Sequence, residues 1–395
     1  MSSRIDWGDE ELADEETTRD VLDQFADPVQ TTAQATGNAS RWPDARHIRG
    51  YIYELHGDGE QQDDSIPPWR PESFDWEGVI PNNWEHSWDA SGERIAGGTD
   101  FLARGKPGRG KSTLANYVAV RMMEINDEKV VWRGSSSRSE WLPLAPWTVL
   151  CLPEGVDVSA RLESKDPTEP AVIIDVDQLE EIVREVRRYS DPIDLNRRVL
   201  DQGTFHVVYP DPRLRGCQEI YERDPEKQYD TPPNRETLFS EEDPANHWWF
   251  AWALSRVNHG PHHWTTWICD EIGDIAPQSA RKDSYGTYQK VELLKDMWVD
   301  ARKFGLSIFL FGHSETDIHR YIRRKIRWRI QMPGTANPTT ASDVVGFESV
   351  RMDAQFTDEF PIGKALMYNE TNYEEFRWKD MPAATSYKLK IEVAR

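Results

Sequence analysis

Gly105-Lys106-Pro107-Gly108-Arg109-Gly110-Lys111-Ser112-Thr113 satisfies the pattern G-x-x-x-x-G-K-[S/T], and its flanks decide the reading. A short apolar run, Phe101 to Arg104, predicts a strand before it, and Ser112 to Asn126 predicts a helix after it. In that strand–loop–helix frame, glycines let successive backbone N–H groups turn inward around a phosphate where side chains would block them. The positive end of the helix dipole adds to the same pole. Lys111 then bridges the β- and γ-phosphate oxygens, and the Ser112 hydroxyl ligates Mg²⁺. All nine residues, Gly105 through Thr113, are the expected cradle for a nucleotide's phosphates.

Outward from the loop, apolar strands alternate with helices. Strands are expected at Lys129 to Arg133, Thr148 to Leu152, Ala171 to Asp175, Phe205 to Tyr209, Thr265 to Asp270, Ser307 to Phe311 and Arg327 to Gln331. Helices are expected at Gln178 to Arg188, Pro244 to Asn258 and Tyr288 to Phe304. Such alternation implies βαβ units and a mostly parallel sheet flanked by helices, an α/β fold. Residues 99–395 are assigned to this core, with C-terminal strands and a Pro- and charge-rich insertion near 210–242.

Two acids end one of these strands: Trp264-Thr265-Thr266-Trp267-Ile268-Cys269-Asp270-Glu271. The C-terminal ends of parallel strands face the ligand crevice. Asp270 is therefore expected in the Mg²⁺ shell and Glu271 as the general base for the attacking water. Asp175 with Asp177 is the second choice, without an adjacent Glu. The run Ser307 to Phe311 ends at Gly312-His313-Ser314, so His313 is a candidate γ-phosphate sensor or a plain strand-end histidine. Between Arg320 and Arg329, six of ten residues are basic. That stretch is expected beside the nucleotide edge, contacting DNA backbone or a neighbouring subunit's phosphate, or else forming a charged structural face. Arg184, Arg187 and Arg188 read as a basic helix face held by salt bridges.

Composition adds limits. The chain has 395 residues, 69 acidic and 47 basic, for a formal charge of −22. Its 38% hydrophobic share and 17 Trp suffice for a substantial core and exclude wholesale disorder. No apolar run reaches the roughly 18 residues of a membrane span, the acidic start is unlike a signal peptide, and three scattered Cys exclude a disulfide framework or a Cys-only zinc site. A soluble, cytoplasmic protein is expected. Such a charge argues at first against nucleic acid, but residues 1–100 hold 23 acidic and 7 basic residues, so most of the excess precedes the phosphate loop. With 33 Arg against 14 Lys, the acid-rich, Lys-poor composition resembles proteins of high-salt organisms. Residues 1–40 read as an acidic, disordered or loosely helical arm, and 41–98, with Trp42, Trp69, Trp76, Trp84 and Trp88, as an extended segment packing on the core.

Taken together, the motifs resemble the FtsK–HerA superfamily of ring-forming, ATP-driven DNA translocases, from about Thr99 to Met332. The features that carry the resemblance are the phosphate loop, Asp270-Glu271 followed by Ile275-Ala276-Pro277, and Arg302-Lys303-Phe304-Gly305. An apolar strand, a polar sensor position and Thr316-Asp317-Ile318 follow. HerA-like members usually carry Gln where Gly312-His313 stands. The resemblance implies a RecA-like core and a homo-oligomer, expected as a hexamer, that hydrolyses ATP with Mg²⁺ to move double-stranded DNA. It also implies a catalytic arginine acting in trans, for which Arg302 and Arg327 are the candidates. The compact core and salt-adapted composition look most like a viral genome-packaging ATPase, with capsid or membrane-vertex proteins as further partners. A conjugation ATPase acting on single strands and a nucleotide-dependent scaffold are the alternatives.

Overall fold

The structure, a computed structural model, describes residues 13–36, 99–126, 128–222, 244–280, 287–334, 359–369, 373–378 and 386–394. The Trp-rich segment 41–98 and most of the 210–242 insertion lie outside the described residues.

The expected strands become β1 (Asp100–Arg104), β2 (Lys129–Arg133), β3 (Thr148–Pro153), β7 (Phe205–Val208), β8 (Thr265–Asp270), β9 (Leu306–Gly312) and β10 (Trp328–Gln331). β6 (Glu185–Tyr189) joins them, and so do β11 (Lys364–Tyr368) and β12 (Tyr373–Arg377) near the C-terminus. They form one ten-stranded sheet in the order β12-β11-β10-β1-β9-β8-β2-β7-β3-β6. Every pairing from β10 to β6 is parallel, and β11 and β12 extend the sheet antiparallel.

Both faces of the sheet are covered, which is why its central strands read as unbroken apolar runs rather than alternations. In β9, Phe309 and Phe311 enter one core and Ile308 and Leu310 the other. Phe309 stacks on Phe101 of β1 with ring centroids 4.3 Å apart. The helix of the phosphate loop, α2 (Lys111–Asn126), packs on the first face. The second is covered by α4 (Pro244–His259) and α5 (Thr287–Ala301), preceded in the chain by the short α3 (Cys217–Glu222). Trp248, Trp249 and Trp252 of α4 and Trp267 of β8 build an aromatic block there.

Three expectations need correction. The helix expected over 178–188 is a single turn, Leu179–Ile182, followed by the edge strand β6. Pairing with β3 satisfies backbone groups that a continued helix would have left at an open sheet edge. The basic face there is accordingly on a strand, and Arg187 pairs with Glu185 at 2.7 Å and Asp201 at 2.5 Å, the structural bridging expected of it. The strand expected over 171–175 is β5 (Val172–Ile174). It lies outside the parallel sheet, in a three-stranded antiparallel sheet with β4 (Val158–Ser164) and β13 (Tyr387–Val393). In the arm, α1 (Glu15–Thr36) is helical, and Val21, Leu22 and Phe25 on one of its faces are buried in the first core. Three apolar residues at helical spacing, docked on that core, outweigh the acidic composition that suggested disorder. No helix among the described residues is long and apolar enough to cross a membrane.

Candidate active site

The sheet order fixes the site. β1, which leads into the phosphate loop, and β8, which ends in the acids, are both neighbours of β9. The residue after β9 must therefore emerge between the loop and the acids, and that residue is His313. Pro107, Gly108, Gly110, Lys111, Ser112, Thr113, Asp270, Glu271 and His313 line one cavity of about 440 Å³, together with Arg138, Glu140 and Ile362.

Loop geometry follows from its glycines. Gly108 and Gly110 have φ of +73° and +85°, a region that side chains with a Cβ rarely adopt. A Cβ on Gly105 would lie 2.5 Å from that of Met332. Lys106 and Pro107 are exposed, and Arg109 packs against Gly334. Thr113 turns its hydroxyl back to the Gly110 carbonyl at 3.0 Å and accepts a hydrogen bond from the Trp378 indole at 2.9 Å. The strand pair β11–β12 thus brings Trp378 and Ile362 against the loop. Ile362 is 60% exposed, an apolar rim on the cavity.

Lys111 donates from Nζ to the Gly105 carbonyl at 2.7 Å and the Lys106 carbonyl at 3.2 Å. Burial pushes its pKa down, against the opposing pull of Glu271 and Asp270, while Arg138 adds to the depression. His313 bridges the two halves: Nδ1 lies 3.2 Å from Lys111 Nζ and Nε2 lies 3.1 Å from Glu271 Oε1. A neutral ring with its proton on Nε2 satisfies both contacts, accepting from Lys111 and donating to Glu271. Glu271 has φ 52° and ψ 61°, a left-handed conformation that is strained for a non-glycine residue, of the kind that gathers at functional sites.

Arg138 and Glu140 escaped the sequence reading because no motif marks them; both follow β2, the strand beside β8. Arg138 Nη1 donates to Asp270 Oδ2 at 2.8 Å and to Glu271 Oε1 at 3.4 Å. Burial disfavours the Arg138 charge, but the two carboxylates outweigh it and raise its pKa. Burial likewise pushes the Glu140 carboxyl up. Ser112 and Asp270 both line the cavity and offer the hard oxygens that Mg²⁺ takes, Asp270 already accepting a hydrogen bond from the Arg138 guanidinium at 2.8 Å.

Other expected residues are not brought here. Arg302 is exposed just before β9, at the strands' N-terminal edge, opposite the phosphate loop. Arg327 lies at that same edge, where its Nε donates to Asp100, the first residue of β1, at 2.8 Å. The basic stretch is thus not gathered at the nucleotide edge, because β10 runs parallel to β1 and the chain must return across the sheet before starting it. Arg329 is buried on Glu315 at 2.9 Å, a structural pair. In Arg302-Lys303-Phe304-Gly305, Phe304 packs on His262 with centroids 4.6 Å apart and Gly305 takes φ +70° to leave α5. Asp175 caps a one-turn helix after β5 that contains Asp177, and neither lines the cavity.

No family model matches the chain, and no curated protein matches it. The fold is distantly similar to several solved structures. The genome packaging NTPase B204 from Sulfolobus turreted icosahedral virus 2, in complex with ATP-gammaS, aligns with TM-score 0.38 and 11% identity, covering 72% of this chain and 98% of that one. VirB4 of Thermoanaerobacter pseudethanolicus aligns with TM-score 0.35 and 11% identity over 76% of this chain and 97% of that one. The cytoplasmic domain of the Thermomonospora curvata type VII secretion ATPase EccC gives TM-score 0.31 and 13% identity over 75% and 28%. Of these, B204 is named an NTPase and EccC an ATPase. By its own parallel sheet, phosphate loop and strand-end acids, the chain has the α/β fold of a P-loop NTPase.

Proposed function

We propose that the chain is a Mg²⁺-dependent ATPase that drives double-stranded DNA through a ring of its own copies, a hexamer, in packaging a viral genome. The observation that carries this reading is the single cavity in which the loop residues Lys111 and Ser112 meet Asp270, Glu271 and His313 from two neighbouring strand ends.

In this reading the backbone of Gly105 to Thr113 wraps the phosphates, and Lys111 exchanges its loop carbonyls for phosphate oxygens. Ser112 and Asp270 would hold Mg²⁺, which when bound supplies positive charge for the developing oxyanions. Glu271 orients the attacking water and takes its proton. His313, hydrogen-bonded to Glu271 and within reach of Lys111, keeps the base aligned and registers the terminal phosphate. Arg302 is exposed on the edge opposite the loop. A ring that abuts that edge on a neighbour's cavity would let Arg302 act in trans, and Arg327 only by giving up Asp100. Arg320 and Arg324, also exposed, are candidate contacts to DNA backbone. Acidic composition fits a cytoplasmic or virion-associated protein of a high-salt organism, with capsid or membrane-vertex proteins as docking partners.

The test is displacement of a third strand from a duplex by the purified chain with ATP at molar salt. Displacement that needs ATP hydrolysis supports translocation on double-stranded DNA. ATP turnover stimulated by single strands alone, with no displacement, would favour a conjugation-type ATPase instead.

A further inference from the structure

Among the described residues that line the cavity, Arg138 is the sole arginine. It sits there for a topological reason. β2 and β8 are parallel neighbours, so their C-terminal ends lie side by side and the chain leaving β2 leans over Asp270. A tight turn, with a bridge between Ser135 and Arg138 and Arg138 N donating to Ser135 O at 3.3 Å, reverses the chain at that point. Gly134 makes the approach possible, since a Cβ there would lie 2.6 Å from the Val208 carbonyl.

We infer that Arg138 is a phosphate-contacting arginine acting within its own subunit, tying the terminal phosphate of the nucleotide to the general base. Both of its carboxylate contacts run through Nη1, to Asp270 at 2.8 Å and Glu271 at 3.4 Å. A guanidinium carries five N–H donors in a rigid fork, so Nε and Nη2 are additional donors that a phosphate in this cavity could engage. The Arg138 side chain is 34% exposed, against 16% for Asp270 and 15% for Glu271. The charged head is thus the more accessible partner and the acids are its anchor.

Electrostatics point the same way. The cavity holds three acids, Asp270, Glu271 and Glu140, and two basic side chains, Lys111 and Arg138. A polyphosphate entering beside three carboxylates needs both cations directed at it. Arg302 and Arg327 lie at the opposite sheet edge and supply nothing here from the same chain. Arg138 is close enough to Lys111 for its charge to help depress the lysine's pKa. Arg138 therefore distinguishes a triphosphate from a diphosphate, and its hold on Glu271 Oε1 aligns the base when the terminal phosphate is in place.

This inference rests on the ATPase reading, and its experiment separates the two. Dissociation constants for a fluorescent ATP analogue and the matching ADP analogue are measured on the full chain, with turnover alongside, for Arg138→Ala and Arg138→Lys. ADP binding should change less than about threefold, while ATP binding weakens by about tenfold or more, the scale of a lost charge-assisted hydrogen bond. Turnover should fall by about 10³-fold, the lower range for an arginine on a transferring phosphoryl group. Arg138→Lys keeps the charge and fold but loses the fork, and should stay at least about tenfold below wild type. Equal weakening of both nucleotides, or turnover within threefold of wild type in Arg138→Ala, would overturn the inference. A wild-type chain with no turnover at all would defeat the ATPase reading, while the ATP-to-ADP binding ratio would still decide the role of Arg138.

Discussion

Replacing Glu271 with Gln removes one charge and keeps the shape of the side chain, and the surrounding contacts say what should follow. Glu271 Oε1 accepts from His313 Nε2 at 3.1 Å and lies 3.4 Å from Arg138 Nη1. A Gln retains a carbonyl oxygen that can accept from one of these donors. Arg138 keeps its shorter contact to Asp270, at 2.8 Å, so no buried cation is left unpaired. The backbone strain at φ 52° is the same for both residues. Fold and nucleotide affinity should therefore change little, within about 1 kcal/mol in stability, the usual limit away from a buried unpaired charge. A Gln cannot take a proton, so turnover should fall by roughly 10²-fold or more, the contribution of a positioned base. The assay pairs steady-state phosphate release with equilibrium binding of a fluorescent ATP analogue. Turnover within threefold of wild type would refute Glu271 as the base. Loss of binding in step with turnover would instead make it a structural residue.

Two further outcomes are expected. Gly110→Ala places a Cβ at φ +85° and 3.0 Å from the Trp378 ring. Strain of about 1–3 kcal/mol at such a backbone position should weaken ATP binding by about tenfold or more in a titration, and unchanged affinity would show that the loop does not adopt this turn when it binds. His206 is fully buried, and burial lowers its pKa to about 3; its Nδ1 lies 3.2 Å from the Val130 carbonyl, while Nε2 accepts from Asp201 N at 3.1 Å. The unfolded state binds the proton first, below its ordinary pKa near 6.5, so this stability contribution is complete above about pH 6.5 and is lost as pH falls toward 3. The loss at pH 5.5 is about 1.4 kcal/mol from this one group. Denaturant titrations at pH 7.5 and 5.5 should show that difference shrinking in His206→Gln, and an equal acid loss in the variant would contradict the assignment.

How much of this was legible in the residues depended on whether the signal was local. The phosphate loop and the strands at 129–133 and 265–270 declare themselves through glycine spacing and apolar runs buried on both faces. His313 was legible as a strand-end polar residue, but its place between Lys111 and Glu271 comes from β9 lying between β1 and β8, and strand order is written in no local pattern. Arg138 was invisible for the same reason: it joins the acids only because β2 is the neighbour of β8. The segment Glu185–Tyr189 misled in the other direction. Its apolar spacing suits a helix, and the open edge of β3 overrides that preference. Six basic residues in ten suggested one functional surface, yet Arg329 and Arg327 answer to Glu315 and Asp100 within the fold. The signature Phe304-Gly305 turns out to be a helix exit, readable as turn chemistry once Gly305 is seen to need a positive φ.

The most direct measurement is steady-state ATP hydrolysis by the wild-type chain and by Lys111→Ala at molar salt, each with and without linear double-stranded DNA. Turnover by the wild type that double-stranded DNA stimulates several-fold, with both signals abolished in Lys111→Ala, is the predicted result. Hydrolysis that persists in Lys111→Ala, or that double-stranded DNA leaves unchanged, would contradict an ATP-driven DNA motor built on this cavity.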